Sequence, residues 1–321
     1  QVRSFLGRAD LAPAQAKVLK IFEKTFMCYI IEDPKAVEMK HKIGEMEAEL
    51  AQTRNKMALG YTDPADPSKF VKMSSVQLRK ACYEGLRSIG ACVVEKLAEI
   101  AIMRNRFAKM CGYKNFYDMK VSQAEGFNQE TLFTILDRLE ERTRDINKTA
   151  LETLAGEKGE SALQPWNTSF ALAGDISKLK DPYFPFSHSV DCWARSFAAL
   201  GITYRGATMA LDLCDREGKY SNGFCHWPQP AWQSAEGWVP SKSNFTSLAT
   251  PSAVGSGYTA LTTLMHEGGH AAHFANVEQG SPLFSQERSP TSVAYAENQS
   301  MFLDSLVGDA AWMGRYAISD S

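Results

Sequence analysis

Apolar residues recur every three or four positions through most of the first half of the chain, in the stretches 36–58, 75–110 and 129–154. This spacing aligns them along one face of an α-helix, so the pattern predicts three long helices. Gly112 is predicted to cap the second helix, because glycine readily adopts the left-handed conformation that ends many helices. The charges on these helices alternate in sign, which is more typical of solvated faces than of a nucleic-acid arm or a coiled coil.

The pattern changes in the second half of the chain. Three segments combine aromatic and β-branched residues between Gly, Pro, Asp and Ser, and they are predicted as strands: 203–213, 219–227 and 238–248. Helices are predicted around them at 190–200, 258–274 and 291–307, and a polar loop at 156–165. We therefore predict a mainly α fold with a small β-sheet beside the second-half helices. The predicted domains are a helical lobe of residues 1–160 and a second region of residues 161–321.

Composition limits the partners of this chain. Its 321 residues carry a formal net charge of −2, so no broad field attracts nucleic acid or an anionic membrane surface. No apolar run reaches the length of about eighteen residues that spans a bilayer. The seven cysteines are odd in number and include no Cys-x-x-Cys pair, which favours reduced thiols and a cytoplasmic location. We expect neither nucleic acid nor a membrane as a partner.

The sequence His266-Glu-Gly-Gly-His270, within the predicted helix 258–274, indicates a metal site. Residues four positions apart share a helix face, so both imidazoles can approach one ion. Glu267 lies one step around the helix, where its carboxylate can reach a water molecule at the ion without binding the ion itself. The alternative interpretation is two helix histidines with unrelated roles. Chance rarely produces this pattern in a chain with only six histidines.

Gly268 and Gly269 weaken the same helix. Together they cost about 2 kcal/mol of helix propensity relative to alanine. Glycine is retained where another group must come very close, such as a substrate strand or a neighbouring backbone. The pair therefore predicts close packing against the helix at the metal site.

A catalytic zinc ion usually has three protein ligands, and the two histidines leave one to be found. The downstream candidates are Glu278, Glu287 and Glu297. Glu297 is favoured because it lies in an amphipathic helix that can cross the first one, although it could be an ordinary surface residue. Asp304, two turns later on the same face, suits a hydrogen bond to a ligand imidazole, and a surface role fits it equally well.

The remaining histidines are weaker candidates. His273 is only three residues after His270 and lies on a neighbouring face, where packing or hydrogen bonding is the expected role. His188 and His226 lie near the predicted sheet, where a structural role is commoner. His226 follows a Gly-Phe-Cys sequence and could line a cleft.

Several segments make the chain resemble the thimet oligopeptidase, neurolysin and oligoendopeptidase F family of zinc peptidases. The similar segments are Ile102 to Tyr117, Arg216 to Phe224, Asn244-Phe245, Leu261 to His273, and Tyr295 to Asp304. They occur in the expected order, and the similarity is specific around the histidines and diffuse elsewhere. The resemblance implies that Glu297 is the third metal ligand.

The resemblance also implies a mostly helical fold with a small sheet beside a deep channel, and cleavage of short peptides rather than folded proteins. Family members continue well past the third ligand and supply Tyr, and often His, donors to the oxyanion. This chain ends at Ser321, 24 residues after Glu297, with Tyr316 as the only tyrosine in between. We expect a further segment of the same parent chain to complete the site, or else His226 and Tyr316 to act as donors.

The predicted function is zinc-dependent hydrolysis of internal peptide bonds in short oligopeptides, with one Zn²⁺ per chain. The predicted metal ligands are His266, His270 and Glu297. Glu267 would take a proton from the attacking water and deliver it to the leaving amine. The predicted substrate contacts, at a strand edge that could pair with the peptide backbone, are Gly223, Phe224 and His226. Two alternatives remain: a zinc-containing peptide-binding protein with impaired catalysis, and a zinc carboxypeptidase on a similar scaffold.

Overall fold

The structure, a computed structural model, describes residues 1–57, 60–63, 66–72, 79–220, 222–284 and 290–318. Within these ranges the chain is mainly helical with short strands, which confirms the predicted fold class. The helices are α1 (Val2–Leu6), α2 (Pro13–Tyr29), α3 (Pro34–Lys56), α4 (Arg79–Met110), α5 (Phe116–Glu125), α6 (Gln129–Lys158), α7 (Thr168–Lys180), α8 (Ser189–Ala199), α9 (Ser256–Asn276), α10 (Val293–Ser305) and α11 (Ala310–Tyr316). The strands are β1 (Gly60–Asp63), β2 (Asp66–Lys72), β3 (Thr208–Cys214), β4 (Phe224–Gln229), β5 (Trp232–Ser234), β6 (Gly237–Val239) and β7 (Lys242–Ala249).

The chain forms two compact units. The continuous unit is Met27–Gly174, and the discontinuous unit combines Gln1–Phe26 with Asp175–Ser321. Within the discontinuous unit the rings of Phe22 and Phe284 lie 5.4 Å apart. The predicted domains, 1–160 and 161–321, differ from these units in their boundary and in the place of the N-terminal segment. A grouping of distant segments leaves no local signal in the sequence, because it depends on contacts between them.

Side-chain caps define where several helices begin. Asp33 accepts a hydrogen bond from the amide of Lys35 at the start of α3. Asn115 and Asn128 accept equivalent bonds at the starts of α5 and α6. Such caps satisfy amide groups that have no partner within the helix. They explain why these helices start where they do.

The three predicted long helices correspond to α3, α4 and α6, and Gly112 has the left-handed φ of 85° after α4. The predicted loop at 156–165 is wrong, because α6 continues to Lys158 and a single turn of 3-10 helix follows at Glu160–Leu163. Gly156 costs the helix only about 1 kcal/mol, whereas Gly159, with a φ of 84°, ends it. The helices α1, α2, α5, α7 and α11 lie where the sequence pattern gave no prediction.

The predicted small sheet is confirmed. Its strand order is β3-β7-β4, with β3 parallel and β4 antiparallel to β7. Cys225 of β4 pairs with Phe245 of β7, and both side chains are buried. In the described part of the chain β4 therefore lies at the edge of this sheet. Two further antiparallel pairs, β1 with β2 and β5 with β6, were not predicted.

All three predicted strands begin too early. The predicted strand 238–248 starts within β6, and β7 itself begins at Lys242. β3 starts at Thr208 instead of residue 203, because Arg205 and Gly206 have positive φ values of 47° and 80°. β4 starts at Phe224 instead of residue 219. Before this strand, Lys219 is held by hydrogen bonds of its side chain rather than by strand pairing.

Lys219 ties the loop before β4 to the other two strands. Its ammonium group donates to the carbonyl oxygens of Asp212 and Cys214 in β3, each at 2.8 Å, and to that of Ser247 in β7 at 2.6 Å. The Arg216 guanidinium, followed by the Lys219 ammonium group, lowers the pKa of Asp212 to about 2. The loop that leads into β4 is therefore fixed by a buried lysine.

Helix α9 is the most buried element of the discontinuous unit. Its residues Leu261, Leu264, Met265 and Phe274 are almost fully buried in the core that includes Trp193 of α8 and Phe245 of β7. At its start, a Cβ atom added to Gly257 would lie 2.0 Å from the carbonyl oxygen of Phe184. Only glycine fits there without movement of the backbone. Neither α9 nor another described helix has the length and apolar run needed to cross a membrane.

Replacement of Gly257 by alanine is expected to destabilise the discontinuous unit. The added methyl group would overlap the backbone at Phe184. Relief of such overpacking typically costs about 1–3 kcal/mol, and a gain of about 1 kcal/mol in helix propensity offsets only part of this. Urea unfolding should therefore show a lower midpoint.

The matched control for this variant is Gly314→Ala in α11, where the new methyl group meets nothing within 4 Å. We expect its stability to equal or exceed that of the original protein. A Gly257→Ala protein that unfolds at the original midpoint would contradict the packing described for the start of α9.

Candidate metal centre

Helices α9 and α10 bring three potential ligand atoms together within the discontinuous unit. His266 and His270 lie about one turn apart on α9, and Nε2 of each is 3.4 Å from Oε2 of Glu297 on α10. One ligand atom from each residue lies within 4.8 Å of the others. These three side chains could hold a metal ion.

The hydrogen bonding of His266 fits a cation at this point. Its Nδ1 lies 2.9 Å from Oδ2 of Asp304, and because a carboxylate only accepts, Nδ1 carries the proton. When the ring is neutral, which is the form that binds metal ions, Nε2 has a lone pair, and this atom lies 3.4 Å from Oε2 of Glu297. Two such atoms repel each other unless a proton or a cation lies near both. Two imidazole nitrogens and a carboxylate oxygen are ligands that zinc takes in catalytic sites.

Burial affects the second imidazole. His270 is 4% exposed, and this burial lowers the pKa of His270, with a smaller opposing effect of Glu297. The neutral ring is the form that binds metal ions. Its Nδ1 has no hydrogen-bond partner among the described residues. Nε2 is therefore the atom through which this ring can bind an ion beside Glu297.

A fully buried serine orients the carboxylate of Glu297. The hydroxyl of Ser300 lies 3.0 Å from Oε2 of Glu297 and 2.9 Å from its carbonyl oxygen. Helix α10 itself is capped by Ser292, which accepts from the amide of Tyr295. Ser300 was not predicted. Its place three residues after Glu297, on the same side of a helix, is the signal that could have identified it.

The glycine pair of α9 allows two close contacts. A Cβ atom on Gly269 would lie 3.1 Å from Cα of Ser300 in α10, so the two helices touch at this residue. A Cβ atom on Gly268 would lie 2.3 Å from Nε1 of Trp193. The predicted close packing is therefore confirmed. The partners are a neighbouring helix and a tryptophan ring, and the first contact brings Glu297 within reach of the histidines.

Glu267 lies beside this group and is not one of its three members. Its side chain is buried, at 6% exposure. A Cβ atom on Gly223 would lie 3.2 Å from Oε1 of Glu267 and 3.2 Å from the carbonyl oxygen of Thr246. Gly223 thus leaves just enough room for this carboxylate. The position suits a base that acts beside an ion rather than on it.

A cavity of about 450 Å³ connects these residues. It is lined by Asn222, Gly223, Phe224, Cys225, His226, Thr262, Thr263, His266, Glu267, His270, Glu297 and Asp304. Every residue predicted as a metal ligand, as the base, as the partner of a ligand imidazole or as a substrate contact lies in this lining. The lining residues that were not predicted are Asn222, Cys225, Thr262 and Thr263.

Other sequence candidates lie elsewhere. Glu278 forms an exposed ion pair with Arg205 at 2.9 Å, and Glu287 lies outside the described residues. His273 packs against Phe274 and Tyr295. Tyr316 is wrong as an oxyanion donor, because its ring is buried in the core against Trp312. His188 is exposed at a single turn of 3-10 helix.

Two aromatic residues support α9 from behind the histidines and were not predicted. The hydroxyl of Tyr204 donates to the carbonyl oxygen of Gly268 at 3.2 Å. Burial raises the pKa of Tyr204, which keeps this donor protonated. The rings of Trp193 and Tyr204 are 6.2 Å apart. No sequence spacing links either residue to α9, so local patterns could not have indicated them.

Sequence comparison gives one clear result. The model of peptidase family M3 matches residues 70–320. No similar sequence was found among curated proteins.

The fold is similar to several solved structures. A PZ peptidase A with an inhibitor has 17% sequence identity and a TM-score of 0.63, covering 98% of this chain and 55% of that one. An M32 carboxypeptidase from Deinococcus radiodurans R1 has 15% identity and a TM-score of 0.55, covering 96% and 48%. A Bacillus anthracis protein classed provisionally as oligoendopeptidase F has 16% identity and a TM-score of 0.57, covering 98% and 55%. The chain therefore spans about half the length of these proteins, and identities this low show a shared fold alone.

Proposed function

Because the chain belongs to peptidase family M3, we propose that it is a zinc-dependent endopeptidase that hydrolyses short peptides. The observation that carries the proposal is the position of Glu267, a buried carboxylate beside the three potential ligands and outside their group. A base next to an ion with three protein ligands is the arrangement that activates water for attack on a peptide carbonyl.

We propose that one zinc ion is held by His266, His270 and Glu297. When bound, zinc polarises the substrate carbonyl and lowers the pKa of water. Asp304 fixes the tautomer of His266, and Ser300 orients the Glu297 carboxylate. Such outer partners raise metal affinity because they hold the ligands in place.

Glu267 is the proposed general base and acid. Its carboxylate would accept a proton from the attacking water and then donate that proton to the leaving amine. Because Gly223 has no side chain, the carboxylate fits near the strand edge along which the substrate would lie. Thus the base and the scissile bond would be brought together by the same segment.

The edge of β4 is the proposed site for the peptide backbone. In the described sheet, β4 pairs with β7 on one side only, so its other side can accept an added strand. The segment of Gly223 and Phe224 would then place the substrate beside Glu267. A cavity of about 450 Å³ is of the size that holds a small ligand, which favours short peptides over folded proteins.

Metal analysis and one peptide assay test the function together. The purified protein should contain about one zinc ion per chain by plasma mass spectrometry. It should cleave an internal bond of a quenched fluorescent peptide of about ten residues, acetylated and amidated at its ends, because an endopeptidase needs no free terminus. Removal of zinc with a chelator should abolish cleavage, and added zinc should restore it.

The same assay separates the alternatives. The M32 carboxypeptidase shares this fold, and cleavage confined to peptides with a free C-terminus would favour that activity. Binding of peptides without cleavage would favour the zinc-containing peptide-binding protein. Protein that is active at full rate after complete metal removal would contradict the proposal.

A further inference from the structure

Three aromatic rings form a continuous surface beside the candidate metal centre. The rings of Tyr220 and Phe224 are 5.8 Å apart, and those of Phe224 and His226 are 4.7 Å apart. Tyr220 is 64% exposed, Phe224 is half-buried and His226 is exposed. Aromatic rings held against each other at the surface form a preorganised apolar face. We name these three residues the aromatic face.

Strand alternation directs the aromatic face away from the core. Side chains of successive residues in a strand point to opposite sides. Cys225 is buried in the core and Trp227 stacks on Phe274 at 4.5 Å. Phe224 and His226 therefore point to the other side, and both line the cavity that contains Glu267.

The aromatic face also begins next to the residue that adjoins the proposed base. A Cβ atom on Gly223 would lie 3.2 Å from Oε1 of Glu267, so this glycine is next to the carboxylate, and Phe224 is the next residue. A strand rises by about 3.3 Å per residue, so Phe224 and His226 lie about one and three residues along from the point of catalysis. A peptide paired with β4 would therefore place a side chain within about two residues of the scissile bond against Phe224.

We propose that the aromatic face is a specificity site for a large apolar side chain of the substrate, preferably an aromatic one. The proposal rests on the proposed function, because the face acts on a peptide bound along β4. Burial of an aromatic side chain against Phe224 removes its apolar surface from water and should strengthen binding by about 10- to 100-fold relative to alanine. Stacking between rings adds to this preference.

Binding to zinc-loaded Glu267→Gln protein tests the face separately from turnover. A series of end-blocked peptides of about ten residues would carry phenylalanine at one position after another, with an all-alanine peptide of the same length as reference. Isothermal titration calorimetry gives each Kd. One position should show a 10- to 100-fold preference for phenylalanine. Phe224→Ala in the same background should reduce that preference to about twofold or less, and Phe224→Tyr should retain it.

The matched control is Tyr183→Ala, which removes an exposed ring outside the cavity lining and should keep the full preference. Circular dichroism and zinc content would verify that each variant is folded and loaded. Peptide binding without a preference for phenylalanine, a preference that survives Phe224→Ala, or no binding of any peptide would each overturn the specificity site. The protein that keeps Glu267 is assayed for cleavage in parallel. If the preference depends on Phe224 but this protein cleaves no peptide, the specificity site is supported and the proposed hydrolysis is contradicted.

Discussion

Replacement of Glu267 by glutamine is expected to lower kcat for peptide hydrolysis by a factor of about 10²–10⁴ while zinc stays bound. Glutamine has nearly the same shape as glutamate, but its amide cannot accept the proton of the attacking water. The zinc should remain because Glu267 lies outside the three-ligand group. Steady-state kinetics with the end-blocked peptide and metal analysis of the same sample measure both effects.

Glu278→Gln is the matched control for this experiment. Glu278 follows the same helix, is exposed and pairs with Arg205 away from the cavity. Its loss should leave kcat within about twofold, since exposed ion pairs contribute little. Near-normal turnover by Glu267→Gln would exclude Glu267 as the base, and loss of zinc from that variant would show that it binds the ion after all.

Replacement of Glu297 by alanine is expected to weaken zinc binding by more than about 100-fold. Loss of an outer partner typically costs about 10–100-fold in metal affinity, and loss of a direct ligand should cost more. Asp304→Asn should therefore give the smaller of the two effects, because Asp304 lies outside the three-ligand group and bonds to the far nitrogen of His266. Titration against a chromophoric chelator measures both affinities.

The comparison of these two variants assigns the roles of the carboxylates. An effect of Asp304→Asn as large as that of Glu297→Ala would mean that both bind the ion. Unchanged affinity in Glu297→Ala would remove that residue from the ligand set. Glu278→Ala is the control for Glu297→Ala, since it also removes one carboxylate but does not alter the lining of the cavity.

Local patterns predicted the elements of the fold better than their packing. The apolar spacing of α6 correctly indicated a helix, yet Ile135, Leu139 and Ile146 on it are 54%, 57% and 71% exposed. A periodic pattern shows that a helix has an apolar face, and it does not show what covers that face. The same limit applies to Tyr316, whose burial against Trp312 depends on residues far away in sequence.

The candidate site was more predictable, because most of it follows from helix geometry. The spacing of His266 and His270 fixes a shared face, and the seven-residue interval between Glu297 and Asp304 places both carboxylates toward it. The crossing of α9 and α10 required more information. Gly269 hinted at a close neighbour, but only the structure identifies that neighbour as Ser300. Tyr204 and Trp193, whose contacts are entirely non-local, carried no such hint.

The discontinuous unit combines two segments that are far apart in sequence, so its parts are synthesised at different times. Ribosomes add about 5–20 residues per second, so Phe26 is synthesised roughly 7–30 seconds before Asp175. The continuous unit, Met27–Gly174, is complete by then and can fold first. Until Phe284 has been synthesised, Phe22 lacks the ring against which it packs in the folded protein. Its apolar neighbours can meanwhile bind chaperones or other nascent chains. The segment Gln1–Phe26 is therefore synthesised before the continuous unit but reaches its native partners only after that unit is complete.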